Sequence, residues 1–142
     1  MIKSALLIAL FLLPAMLLAA SRATGAERSS LVSVELSSAA EVIYAAIQQR
    51  TPITFRYKGE IRIVHPHRIG RSKTGNILLR AWEVQRAGES VGQWRMYTLD
   101  KMENIYPITD KNFEIAPNYK SPDKLIPDVF FELPIHDERA AE

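Results

Sequence analysis

The clearest structural signal in the chain is ITFRYKGEIRIVHP, residues 53–66. Apolar and polar residues alternate from Ile53 to Tyr57 and again from Ile61 to His65, with Gly59 between the two runs. A period of two is typical of a half-buried β-strand, and a Gly among polar residues is typical of the turn in a hairpin. This stretch therefore predicts two antiparallel strands, with Pro66 marking a sheet edge or a bulge.

Further strands are predicted on the C-terminal side of this hairpin. They cover residues 76–84, 93–99 and 104–108, and the polar loops 70–75 and 87–92 separate the first two from their neighbours. Four to five short strands with turns between them indicate a small β-barrel or a rolled antiparallel sheet.

One helix is predicted on the N-terminal side. Ser38 and Glu41 have the spacing of a capping box, and apolar residues then recur at helical spacing as far as Ile47. Thr51-Pro52 ends the pattern, because the residue before a proline avoids helical dihedral angles. We therefore expect a helix at about 39–50 and a mainly β protein with one N-terminal helix, of the α+β class.

The N-terminus has the layout of a secretory signal peptide. A short basic start precedes the apolar run Ala5–Ala20, and small residues stand before possible cleavage points after Ala23 and Ala26. The run is short for a membrane span. The predicted localisation is exported, periplasmic or secreted. A membrane-anchored protein and a cytoplasmic protein with a wrongly assigned start are the alternatives.

The predicted organisation has four segments. Residues 1–26 are a signal peptide or membrane anchor, 27–37 a lead-in, 38–116 the folded domain and 117–142 an acidic, proline-containing tail. The chain has no cysteine, which excludes disulfides, thiolate metal sites and lipid attachment through Cys. Around Phe130-Phe131 the tail is apolar, and we expect Val129, Phe130, Phe131 and Leu133 to dock it on the domain.

The charge is distributed unevenly. The chain as a whole carries +2, whereas residues 50–101 carry +7 and residues 102–142 carry −5. A basic half predicts an anionic partner. In the alternative interpretation the acidic tail folds over the basic segment and neutralises it.

Residues 47–124 resemble a WYL domain. Four motifs carry the resemblance in the family's order: residues 53–57 (ITFRY), 62–69 (RIVHPHRI), 75–82 (GNILLRAW) and 94–102 (WRMYTLDKM). Residues 118–124 (NYKSPDK) also resemble the tail of a short bacterial subgroup. The resemblance implies a small Sm-like barrel and a ligand-sensing function, with nucleic acid or nucleotides as the suspected ligands.

The chain departs from the family pattern in two places. Aligned on Ala81, the Trp-Tyr-Leu triplet becomes Ile77-Leu78-Leu79, so that only the leucine is kept. The usual member carries a DNA-binding helix-turn-helix upstream, and here a signal-like segment precedes the domain. The resemblance therefore implies ligand sensing and not the regulator's DNA binding.

Alternation along the strands predicts a basic, aromatic face. Arg80 and Trp82 stand opposite the small aliphatic row that ends at Ala81, and the neighbouring strands carry comparable rows. Guanidinium groups bind phosphate oxygens, while aromatic rings stack on bases. The predicted ligand-binding residues are Arg62, Arg68, Arg80, Trp82, Arg95 and Tyr97. In the alternative, Arg80 and Arg95 pair with Glu83, Asp100 or tail acids, and the rings pack.

No catalytic function, metal or cofactor is predicted. His65 and His67 share one side of a strand, but a metal site needs more ligands and the remaining histidine, His136, lies in the tail. No serine has an evident base, and paired carboxylates are missing from the basic half. We expect no transmembrane bundle. The alternative function is a cell-envelope protein–protein interaction domain with a protein partner.

Overall fold

The computed structural model describes residues 24–134. Within them, six antiparallel strands form one sheet of order β4-β3-β2-β1-β5, and β6 also pairs with β2. The elements are α1 (Gly25–Gln49), β1 (Ile53–Tyr57), β2 (Glu60–Arg71), β3 (Ile77–Arg86), β4 (Glu89–Thr98), a 3-10 helix (Leu99–Lys101), β5 (Glu103–Pro107) and β6 (Asp128–Glu132). The predicted class, mainly β with one N-terminal helix, is confirmed.

The long strand β2 organises the sheet. Along one edge it pairs with β3 from Arg62 to Arg71. Its other edge is shared, because the first half pairs with β1 and the last four residues pair with β6. The register with β3 shifts between Ile63 and Val64 and again around Pro66, so the predicted bulge at Pro66 is confirmed. Bulges bend a strand and increase its twist.

The sheet is rolled but does not close. Among residues 24–134, β4 and β5 form the two ends of the strand path and do not pair with each other. Of the two architectures that the strand pattern predicted, the structure is therefore the rolled sheet and not the closed barrel. The five predicted strands are β1–β5, and β6 adds a sixth from the C-terminal segment.

The helix starts earlier than predicted. It begins at Gly25, where Thr24 and Glu27 form the capping box that the sequence pattern placed at Ser38 and Glu41. Residues 27–37, interpreted as a lead-in, lie within α1 because no Gly or Pro interrupts residues 26–51 and apolar residues recur at helical spacing. The predicted end before Thr51-Pro52 is confirmed, since Arg50 caps α1 in the left-handed conformation.

The N-terminal half of α1 extends beyond the sheet. Leu31, Val32 and Val34 are exposed, whereas Ile43 and Ile47 are fully buried. The helix is long and apolar enough to cross a membrane by length and composition alone. Signal sequences and core helices also meet these two criteria, so the evidence for a span is weak. The predicted signal peptide lies almost wholly outside the described residues, and the localisation stays a prediction.

The hydrophobic core lies between the C-terminal half of α1 and one face of the sheet. At its centre, the rings of Phe55, Tyr57 and Tyr97 meet edge to face, with centroids 5.0 Å apart for the two pairs that include Tyr97. Such aromatic contacts add to the stabilisation that comes from area burial.

His67 on β2 holds the C-terminal segment against the sheet. Its buried ring donates from Nδ1 to the carbonyl of His65 (2.8 Å), and its Nε2 accepts the N–H of Ala116 (3.0 Å). Its carbonyl accepts the N–H of Leu133 and the hydroxyl of Tyr119. These bonds attach three positions between 116 and 133 to one residue of β2.

The predicted docking of the tail is met in part. Phe131 packs on Tyr44 of α1, with ring centroids 4.5 Å apart, and Leu133 is buried. Val129 and Phe130 remain exposed.

We predict that acid destabilises the protein through His67. Burial, with the nearby charges of His65, Arg50 and Arg68, lowers the pKa of His67 to about 4. Between pH 6.5 and 4 the unfolded chain therefore binds a proton that the folded chain does not. The free energy of unfolding should fall by about 3 kcal/mol as the pH falls through this window. Urea denaturation at about pH 7 and pH 4.5 measures the loss.

His67→Gln removes the titrating ring, so its stability should depend less on pH than that of the wild type. The carboxyl of Glu83, whose pKa is lowered, adds a loss at the acid end of this window, as the unfolded carboxyl takes up a proton near its ordinary pKa of 4.5. Both proteins share that loss, so their difference reports on His67. An equal pH dependence in the two proteins would contradict the assignment to His67.

A second prediction concerns Gly70, where β6 comes closest to β2. A Cβ at this position would collide with the carbonyl oxygen of Asp128 and the side chain of Ile126. We expect Gly70→Ala to lower the free energy of unfolding by about 1–3 kcal/mol and to loosen β6. Gly92→Ala is the matched control, since its Cβ would meet Trp82 at an ordinary 3.6 Å. Hydrogen exchange at β6 should rise in the first variant only, and equal exchange in both would count against this close approach.

Candidate functional site

Of the six residues predicted to form one ligand-binding face, five lie in two separate groups and Trp82 lies in neither. In the register of β3 with β4, Arg95 stands opposite Ala81 and Tyr97 opposite Leu79, on the core side of the sheet. Arg80 and Trp82 point to the other side. The prediction of a single face is therefore wrong, because Arg95 and Tyr97 follow the core row of β3 and not the row of Arg80.

The first group surrounds Glu83, which continues the core row of β3. We call Arg62, Glu83, Arg86, Arg95 and Tyr97 the Glu83 cluster. The carboxylate of Glu83 is fully buried. Its Oε2 accepts the hydroxyl of Tyr97 at 2.6 Å and Nη1 of Arg62 at 2.9 Å. Its Oε1 accepts Nη2 of Arg86 at 2.7 Å and the amide of Gln93 at 3.2 Å.

These donors keep Glu83 ionised. Burial by itself would raise the pKa of Glu83, but the hydrogen bonds from Tyr97, Arg86 and Arg62 outweigh it and lower the pKa to about 2. Burial and the same carboxylate raise the pKa of Tyr97, so its hydroxyl remains a donor. The carboxylate is therefore a fixed negative charge at which three guanidinium groups meet.

The Glu83 cluster has more positive than negative charge. Arg62 also pairs with Glu60 at 3.1 Å, and Nε of Arg95 lies 3.6 Å from Glu83 Oε1, so three arginines face two carboxylates. The side chains of Arg86 and Arg95 are 31% and 41% exposed. The buried Nε atoms of all three arginines have no hydrogen-bond partner within residues 24–134. This arrangement is suited to binding an anion from solvent.

The second group is Arg68 of β2 and Arg80 of β3. Both lie beside Asp123, which belongs to the segment after β5. Arg68 is buried and donates from Nε to Glu132 at 2.6 Å and from both Nη atoms to the carbonyl of Lys120. Arg80 donates from Nε to Asp123 at 2.8 Å. Acids of the C-terminal segment thus pair with both arginines, as in the alternative interpretation of the charge asymmetry. Arg68 retains no exposed surface for a ligand.

The remaining predicted residue, Trp82, is half-buried. Its ring packs edge to face on Trp94 of the neighbouring strand, with centroids 5.5 Å apart. A stacked aromatic pair is formed instead by Trp94 and Tyr119, whose ring centroids are 5.6 Å apart with an interplanar angle of 25°.

The predicted ligand-binding residues did not include Glu83, Arg86, Trp94 or Tyr119. Arg86 follows the predicted end of the third strand at Val84, which hid its place in the Glu83 cluster. Trp94 and Tyr119 come together from β4 and from the segment after β5, and no spacing rule links the two. One signal was available, since Glu83 stands in a row of small aliphatic residues and a buried carboxylate needs partners.

The two histidines of β2 both make contacts within the protein. Both ring nitrogens of His67 are used by backbone groups, and His65 stacks on Phe113 at 4.6 Å. No group of three His, Asp or Glu side chains that could hold a metal ion occurs in residues 24–134.

We predict that Glu83 is essential for stability. Glu83→Gln keeps the size of the side chain but leaves the nearly buried Arg62 without its main counter-charge. Breaking a buried ion pair costs roughly 3–5 kcal/mol. Glu60→Gln, which removes the half-exposed partner of the same arginine, should cost less than about 1 kcal/mol. Chemical denaturation at neutral pH compares the two variants. Equal losses would show that the buried carboxylate has no special role.

Comparison with known proteins found one matching family model and one similar solved structure. A family model described as the WYL domain matches residues 38–107, a range that contains the whole Glu83 cluster and ends before Asp123. A search of the curated proteins found no match. Among solved structures, the chain resembles proteasome accessory factor B/C (PafBC) of Arthrobacter aurescens, with a TM-score of 0.49 and 24% sequence identity over 58% of this chain. The match spans 13% of that protein. On the family match, residues 38–107 of this chain form a WYL domain.

Proposed function

We propose that this WYL domain is a non-catalytic sensing module that binds an anionic ligand at the Glu83 cluster. WYL domains are in general regulatory sensing domains and not catalysts. The observation that carries the proposal is the convergence of three arginines on one buried carboxylate, with Arg86 and Arg95 partly open to solvent. The comparisons give no support to the alternative of a cell-envelope interaction domain.

Glu83 holds arginine side chains in place before a ligand binds. Free arginine side chains lose considerable rotamer entropy when they bind, whereas Arg62 and Arg86 are already held by short bonds to Glu83. A phosphate group could therefore bind the outer edges of Arg86 and Arg95 at a smaller entropic cost. Guanidinium forks suit this role because their geometry matches phosphate oxygens.

The surface beside the cluster extends its positive charge. Two cations lie near the ring of Tyr57, with Lys58 Nζ and the Arg62 guanidinium each 5.9 Å from its centroid. Lys58 is exposed. A ligand with several phosphates would reach both Lys58 and the two open arginines. We therefore favour a short single-stranded oligonucleotide over a single small anion.

The proposal predicts binding that weakens with salt, because each phosphate contact releases counterions. Fluorescence polarisation of a labelled short single strand, measured over a range of salt concentrations, tests it. Arg86→Ala with Arg95→Ala should lower affinity about tenfold or more and reduce the salt slope by about 1–2. The charge-matched control is Arg56→Ala with Lys73→Ala, two exposed residues on β1 and in the 72–76 turn.

Two results would overturn the proposal. One is the absence of binding at low salt. The other is an equal loss of affinity in the arginine pair and in the control pair, which would mean that net charge and not the Glu83 cluster attracts the strand. Circular dichroism of each variant checks that the fold is retained.

A further inference from the structure

A cleft of about 370 Å³ opens on the opposite face of the sheet from the Glu83 cluster. It lies between β3–β4 and the segment 118–124, and we call it the Trp94 cleft. Its lining includes Arg80, Trp94, Tyr119, Lys120, Asp123 and Lys124. Its volume lies at the lower end of the range for small-molecule sites, about 300–1,000 Å³.

The aromatic wall of the cleft is fixed in place. Trp94 donates its indole N–H to the carbonyl of Pro117 at 2.8 Å and stacks with Tyr119. The guanidinium of Arg68 lies 5.0 Å from the ring centroid of Tyr119, whose hydroxyl donates to the carbonyl of His67. Both rings are partly exposed at the cleft. Held by these hydrogen bonds, the two rings form a partly exposed aromatic surface of the kind on which planar rings stack.

The polar wall of the cleft is cationic. Arg80 uses Nε on Asp123, and within the described residues its two Nη groups have no hydrogen-bond partner while its side chain is 22% exposed. Lys120 and Lys124 are exposed at the rim. Arg68 is balanced by Glu132, and Asp123 is shared between Arg68 and Arg80. The cleft therefore has one carboxylate, Asp123, and three accessible cations, which are Arg80, Lys120 and Lys124.

We infer that the Trp94 cleft binds one nucleoside monophosphate, with the base on the Trp94–Tyr119 wall and the phosphate at Arg80, Lys120 and Lys124. The two rings are suited to binding a planar aromatic group, and the cations are suited to binding an anionic group. The volume of the cleft fits a ligand that has one aromatic group and one anionic group. This site is independent of the Glu83 cluster, because Arg80 and Arg95 point to opposite faces of the sheet. It also uses residues that follow the matched range of the family model.

Isothermal titration calorimetry of the full chain tests the inference with simple probes. The four nucleoside monophosphates are titrated separately, then the nucleoside of the tightest binder and ribose 5-phosphate. We expect at least one monophosphate to bind, and the nucleoside and the sugar phosphate each to bind at least about tenfold more weakly, since each lacks one of the two groups that the cleft recognises. If no monophosphate binds, the inference is wrong. Equal binding by ribose 5-phosphate or by the nucleoside would also overturn it.

Variants then locate the site. Lys120→Gln with Lys124→Gln changes two exposed residues and should weaken monophosphate binding about tenfold without altering thermal stability. Tyr119→Leu should abolish it, although this variant could also loosen the segment, so the lysine pair decides. Arg86→Ala with Arg95→Ala should leave monophosphate binding unchanged. If that pair abolishes binding and the lysine pair does not, the monophosphate binds at the Glu83 cluster and the inference fails while the proposed function stands.

Discussion

The structure depends on the bent strand β2 and the three strands that pair with it. A straight twelve-residue strand would have one partner along each edge. The register shifts around Ile63 and Pro66 divide β2 into two halves, so that β1 and β6 occupy different parts of the same edge. Each half then supports one of the two polar groups. In the first half, Arg62 pairs with Glu83. In the second half, His67 and Arg68 form hydrogen bonds with the C-terminal segment.

Buried polar groups hold both halves together, and each is satisfied by partners distant in sequence. Glu83 collects donors from β2, β3 and β4, whereas Arg68 collects acceptors from the segment around Lys120 and from β6. Leaving any of these groups without a partner would cost several kcal/mol. The two groups differ in what remains open. The acids around Arg68 balance its charge, while the Glu83 cluster, counted together with Glu60, keeps one excess positive charge and two arginines at the surface.

Much of the fold could be predicted from local patterns. The hairpin of β1 and β2, the bulge at Pro66 and the end of α1 at Arg50 follow from alternation, from the missing proline N–H and from the residue before Pro52. The start of α1 was misplaced by fourteen residues because two capping boxes compete. Thr24–Glu27 and Ser38–Glu41 have equivalent spacing, and residues 31–36 alternate in a way that also suits one face of a helix.

The residues by themselves determined the class of the fold, the WYL resemblance and the presence of a basic middle facing an acidic end. They also named five residues that lie in one or the other polar group: Arg62, Arg68, Arg80, Arg95 and Tyr97. Only the tertiary structure decided which of these share a site, because the face of a strand residue depends on register and bulges that involve partner strands. It also decided where the acidic segment docks. A carboxylate such as Asp123 or Glu132 can neutralise any nearby arginine, and the pairing of β6 with β2 selects Arg68 and Arg80.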